Sequence, residues 1–269
     1  MFLFVPTLSA QKLALLVPEK TEQSVNYAGK LETSLSAKLK ILDASLSETA
    51  FRAENYENPF NLTTGESKII GARVGCDYFL LVKAINQRRS TFAKAEFYES
   101  YAVVYVASAR TGRLVFWKLK SFEAKTPAAA DKELFASVDN LSTEIYEKLK
   151  AVGAEELNEK RAQNIEELPA EDSAEAKNFR PPLPYQRIKP EYTPLASLYF
   201  VEATVDIEIE VDASGKLLKT EIVRWAGFGL DESVTETIRR MQWRPASRNG
   251  KSLPMRVLLR YNFKKIEKD

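Results

Sequence analysis

Histidine is absent from this 269-residue sequence, and cysteine occurs once. The missing imidazole removes the usual general base near neutral pH, the usual activator of a serine or cysteine nucleophile, and the commonest metal ligand. A single thiol forms neither an internal disulfide nor a cysteine-rich metal site. No run approaches the ~20 apolar residues that a membrane-spanning helix needs. Charge of one sign is not in excess either: 39 Lys and Arg stand against 37 Asp and Glu, and a net +2 gives no bulk attraction to nucleic acid. Also missing are a Gly-x-Ser-x-Gly elbow, a Ser-x-x-Lys beside Ser-Asp-Asn, and a glycine-rich phosphate loop; residues 64–68 (TGESK) hold a Ser-Lys pair without that loop. These absences argue against a metalloenzyme, a thiol oxidoreductase and a His-dependent hydrolase. They set the expectation of a protein that is not an enzyme, with no catalytic residues, no metal and no cofactor.

What is present is ordinary for a globular chain, with 45% hydrophobic and 28% charged residues and a length that fits about two domains. Residues 1–10 are apolar and end in Leu8-Ser9-Ala10 ahead of Gln11. They fit two readings, the remnant of a signal peptide lacking its charged start or a first β-strand. Between 155 and 178 the chain is acidic and nearly free of large apolar residues after Leu168, so it buries too little to offset the entropy of ordering. Arg180-Pro181-Pro182-Leu183-Pro184 follows as an extended, semi-rigid spacer. The expected organisation is therefore a leader remnant at 1–10, an α/β domain at 11–166, an acidic and Pro-rich linker at 167–184, and a second domain at 185–269.

In the first domain, residues 12–17 read as a buried strand and 41–42 as a short second one. Between them lies a helix with Val25, Ala28, Leu31, Leu35 and Leu39 inward. A helix capped at Thr63 or Thr64 turns Ile69, Ile70 and Val74 inward and stops at Gly75. Strands follow at 78–85, 97–107 and 114–122, the last two joined by a turn at 110–113. Pro127 opens a final helix whose stripe is Leu134, Val138, Leu141, Ile145 and Leu149. Helices flanking a mixed sheet make an α/β sandwich, so the whole chain is α+β. The phrases at 70–82 (IGARVGCDYFLLV) and 109–117 (ARTGRLVFW) resemble those of the periplasmic α/β domains in the curli-secretion lipoprotein, the penicillin-binding-protein activators and the TolB N-terminal domain. Cys76 sits in the small position of the first phrase and reads as a buried small hydrophobe.

The second domain alternates strictly from 201 to 212: Val201, Ala203, Val205, Ile207, Ile209 and Val211 face one way, Glu202, Thr204, Asp206, Glu208, Glu210 and Asp212 the other. That is a long strand with one solvent face. A turn at Gly215 leads to a returning strand at 217–225; Asp231 then caps a helix with Val234, Ile238 and Met241 inward, and a last strand carries Met255, Val257, Leu259, Tyr261 and Phe263. If the first strand lies between the other two, Arg256 and Arg260 stand across from its acidic face, in cross-strand pairs of roughly 0.2–1 kcal/mol each. The last strand is then an edge.

This β-β-α-β segment is similar to the TonB C-terminal domain over about residues 181–265. The phrases that carry the likeness are 190–196 (PEYTPLA), 211–215 (VDASG), 229–231 (GLD), 243–246 (WRPA) and Asn249-Gly250. Thr193 separates Tyr192 from Pro194, which the family usually has adjacent. The resemblance implies a periplasmic or secreted protein, membrane-anchored if the true start lies upstream. It also implies a protein partner, an outer-membrane transporter or another envelope protein, that adds a strand to the last strand beside Arg256, Leu258, Arg260 and Asn262. Tyr192 and Trp243 are further contact candidates, although packing is the commoner role for such residues. Against partner recognition stands the reading of Arg256 and Arg260 as charges that keep an edge from aggregating. A second functional reading stays open, an envelope-assembly regulator acting through the first domain as the peptidoglycan-synthase activators do.

Overall fold

The computed structural model describes residues 11–90, 96–158 and 178–264. The leader segment 1–10 and residues 167–177 of the expected linker lie outside them. The described residues form two compact units, one of residues 11–60 with 64–158, the other of 61–63 with 178–264. Among the described residues no helix is long and apolar enough to cross a membrane.

The first unit runs β1 (Lys12–Leu16), α1 (Glu22–Ser36), β2 (Lys40–Ile41), α2 (Ala44–Arg52), α3 (Thr64–Val74), β3 (Tyr78–Arg89), β4 (Phe97–Ser108), β5 (Leu114–Ala124), α4 (Pro127–Ala136) and α5 (Val138–Asn158). Its five strands form one mixed sheet in the order β2-β1-β3-β4-β5, parallel from β2 to β3 and antiparallel from β3 to β5. Tyr78, Leu80 and Val82 join Leu13, Leu15, Tyr27, Leu31 and Leu35 in the core under α1, α4 and α5. Phe79 and Leu81 alternate to the other face and are equally buried, as a sheet covered on both sides requires. The stripe Leu134 to Leu149 is buried as expected, but it belongs to two helices rather than one. Ser137 parts them, its Oγ donating to Leu134 O at 2.7 Å.

Two inward assignments were wrong. Val25 and Ile69 are 47% and 46% exposed, and α3 instead packs through Ser67, Ile70 and Gly71. A Cβ on Gly71 would collide with Ala109 Cβ, so the close approach needs glycine. Helix α2 has no counterpart in the sequence reading because its buried residues are Ser47, Glu48 and Phe51. A polar inward face leaves no apolar period to detect.

The second unit contains β6 (Phe179–Arg180), β7 (Leu183–Pro184), α6 (Pro194–Leu198), β8 (Ala203–Val211), β9 (Leu217–Arg224), α7 (Leu230–Arg240), β10 (Trp243–Arg244), β11 (Ala246–Arg248), β12 (Lys251–Leu253) and β13 (Met255–Phe263). Its main sheet has the antiparallel order β13-β8-β9, with β8 central. Val205, Ile207, Ile209 and Val211 of β8 are fully buried beside Met255, Val234 and Ile238. Arg180–Pro184, read as a spacer, is extended and also paired: β6 joins β11 and β7 joins β10. Thr193, the residue that interrupts Tyr-Pro, is the N-cap of α6; its Oγ1 accepts from Ala196 N and donates to Phe228 O at 2.6 Å. The cap of α7 corrects the expectation. Gly229, in the left-handed region at φ 77°, holds the N-cap position. Asp231 sits in the first turn and accepts back from Ala226 N and Gly227 N, each at 2.9 Å.

Candidate functional site

Strand β13 is an edge of the three-stranded sheet, paired over nine residues with β8 on one side. Its outward side chains are Arg256, Leu258, Arg260 and Asn262, one row facing away from the helix-covered core. The register puts Arg256 opposite Glu210, Leu258 opposite Glu208, Arg260 opposite Asp206 and Asn262 opposite Thr204. Arg256 Nη2 and Nε donate to Glu210 Oε1 at 2.7 and 3.2 Å. Arg260 grips Asp206 with two bonds, Nε to Oδ1 at 2.7 Å and Nη2 to Oδ2 at 2.9 Å. Asn262 Oδ1 accepts from Thr204 Oγ1 at 2.8 Å, and Leu258 is 49% exposed.

The face is not the open solvent surface that alternation implies. Asp206 and Glu210 are buried, covered by the arginine stems. Asp206 takes a third bond, from Arg224 Nε on β9 at 3.2 Å. Sequence reading missed Arg224 because a register shift between Asp206 and Ile207 brings it opposite. Burial pushes the Asp206 carboxyl up, but the hydrogen bonds and charges of Arg260 and Arg224 outweigh it and hold the group below its ordinary value. The same pairing holds Arg260 above its own. Within the paired stretch of the three strands four cations, Lys219, Arg224, Arg256 and Arg260, meet four anions, Asp206, Glu208, Glu210 and Glu221.

The remaining candidates lie off this row. Tyr192 stacks on Phe263 with ring centroids 6.3 Å apart, and its hydroxyl lies 3.1 Å from Ala196 O and 3.0 Å from Val201 O, where its proton is shared. Trp243 is 3% exposed in β10 and pairs with Pro184. Tyr192 is half-buried and Trp243 buried. Among the described residues no group of three or more Cys, Asp or Glu could hold a metal ion.

Compared by sequence with curated proteins, the chain finds no match. Solved structures with which it aligns include a hypothetical protein of Chlamydia trachomatis, at 12% identity over 52% of this chain and 99% of that one, TM-score 0.36. A lipoprotein of Neisseria meningitidis aligns at 12% identity over 50% of this chain and 99% of that one, TM-score 0.32. The TonB C-terminal domain of Pseudomonas aeruginosa aligns at 16% identity over 40% of this chain and 99% of that one, TM-score 0.29. Residues 188–264 match the family model described as Gram-negative bacterial TonB protein C-terminal, and the second unit is accordingly a TonB-like domain.

Proposed function

We propose that this chain is a non-catalytic periplasmic protein whose TonB-like domain binds an envelope protein by adding the partner's strand to β13. The observation that carries this reading is the nine-residue edge strand β13, which among the described residues has β8 as its strand neighbour, within a segment that matches the TonB C-terminal family. Main-chain groups along an open edge supply affinity, and alternate side chains supply register. Leu258 is the apolar contact of that row, Asn262 its neutral polar one, and Arg256 and Arg260 are its shoulders. A transporter of the outer membrane is the partner class that the TonB likeness favours.

The sheet provides its own control. Leu258 on β13 and Leu218 on β9 are similarly exposed, at 49% and 54%, on opposite edges. A photo-crosslinking residue at 258 should capture an envelope partner, and the same residue at 218 should not. Bound partner should also slow hydrogen exchange of β13 amides. Equal capture at both positions, or β13 exchange unchanged in the captured complex, refutes strand addition. Leu258→Pro removes one main-chain N–H from the edge strand and should abolish capture.

A further inference from the structure

The second unit is completed by three residues from far upstream. Asn61–Thr63 belong to it although Phe60 and Thr64 belong to the first. Asn61 sits beside Thr204 at the start of β8 as a strand residue would, but through its side chain. Thr204 N donates to Asn61 Oδ1 at 2.9 Å, and Asn61 Nδ2 returns a bond to Thr204 O at 2.8 Å. The second Nδ2 hydrogen goes to Trp225 O at 2.7 Å. The backbone continues the pattern: Arg224 Nη1 donates to Asn61 O at 2.8 Å, Trp225 N donates to Leu62 O at 3.2 Å, and Thr63 bridges Arg224 in antiparallel sense. Asn61 is 6% exposed and Leu62 1%.

We propose that the junction of β8 and the end of β9 is a peptide-docking site that reads an asparagine, and that its resident ligand is the chain's own Asn61–Thr63. The chemistry of the cradle selects the residue. It presents one N–H and two carbonyls to the side chain, so the occupant must accept once and donate twice at short reach. Asparagine meets all three demands. Aspartate is the same size but sets a carboxylate against two carbonyl oxygens, and alanine leaves three buried groups unmatched. Arg224 ties the site to the Asp206 cluster, because the guanidinium that Asp206 holds also donates to Asn61 O. This site lies on the opposite edge from β13 and does not rest on the function proposed for that edge.

The test is amide hydrogen exchange on the full chain. In the wild type, Thr204 and Trp225 amides should be protected like the centre of β8, independent of protein concentration. Asn61→Ala and Asn61→Asp should each speed exchange at both amides by about 10-fold or more, with β13 amides unchanged. A synthetic peptide of residues 57–66 should restore protection to the Asn61→Ala chain, and the same peptide with Ala at 61 should not. Unchanged exchange in both variants overturns the proposal, as does equal rescue by both peptides. Protection lost on dilution of the wild type gives the site to a second copy and overturns occupation by the chain's own segment. Should Asn61→Ala unfold the unit, the isosteric Asn61→Asp carries the comparison, and protection there equal to the wild type is the refuting result.

Discussion

Replacing Asp206 by alanine should destabilise the second unit far more than replacing Arg260, the more exposed of the two arginines that hold it. Asp206 is 2% exposed. Its two partners differ in solvation, since the Arg224 side chain is 24% exposed and that of Arg260 is 58%. Arg260→Ala leaves Asp206 still held by Arg224 and admits water where the exposed guanidinium lay, a surface-pair effect of about 1 kcal/mol. Losing the pair with Arg224 strands a half-buried guanidinium, and removing one partner of a buried pair costs about 3–5 kcal/mol. With the solvation of Arg224 taken into account, about 3 kcal/mol is the expectation for Asp206→Ala against about 1 kcal/mol for Arg260→Ala. For a unit of this size, about 3 kcal/mol lowers the melting temperature by about 12–24 °C. The assay follows from the tryptophans. Trp117 lies in the first unit and Trp225 and Trp243, both buried, in the second. In a Trp117→Phe background, fluorescence-monitored urea unfolding therefore reports the second unit alone. If Asp206→Ala costs no more than Arg260→Ala, the ion cluster is not buried in the energetic sense and the reasoning fails.

Two further outcomes are expected. Burial pushes the Asp231 carboxyl up to about 7 despite the opposing bonds from Gly227 N and Ala226 N, with Glu232 adding to the rise. A raised folded-state value stabilises fully below the unfolded pKa and is lost as pH rises through the folded one, so this contribution should fade between about pH 4 and about pH 7. Urea titrations at acidic and alkaline pH should show that decline in the wild type, and Asp231→Asn should flatten it; a variant with the wild-type slope refutes the assignment. Burial likewise pushes the Cys76 thiol up to about 12. Iodoacetamide at mildly alkaline pH should leave the folded protein unmodified and label it fully in denaturant, and rapid labelling of the folded chain would contradict the burial.

Much of this was legible because it depended on period. Strict alternation located β8 and its neighbours, and the match of Arg256 and Arg260 to the acidic face of β8 favoured β8 at the centre, where it lies and where the arginines bind those acids. The stripe from Leu134 to Leu149 gave the core face of the last helices, although nothing local marked the break at Ser137. What stayed hidden depended on contacts without period. Arg224 reaches Asp206 through a bulge, and a bulge is a local irregularity that alternation cannot foretell. Helices α2 and α3 turn small or polar residues inward, so α2 offered no apolar period and the pattern in α3 pointed to Ile69, which is exposed; in α1 the buried Ser24 and Tyr27 flank Val25, which is exposed too. Asn61 is 143 residues from Thr204, and no feature of its neighbourhood announces a role in the second unit.

If a partner adds its strand to β13 as proposed, the four cations and four anions paired on the outward face of the β13-β8-β9 sheet bear on how it arrives. With those charges paired off against one another, association should run nearer the unsteered rate of about 10⁵–10⁶ M⁻¹s⁻¹ than an electrostatically enhanced one. Added salt screens attractions and repulsions alike over a Debye length of about 8 Å at physiological ionic strength, so the on-rate should hardly change with salt. Selectivity among partners would then reside in how long a docked strand stays, set by its fit along the β13 main chain and around Leu258, and not in how often it collides.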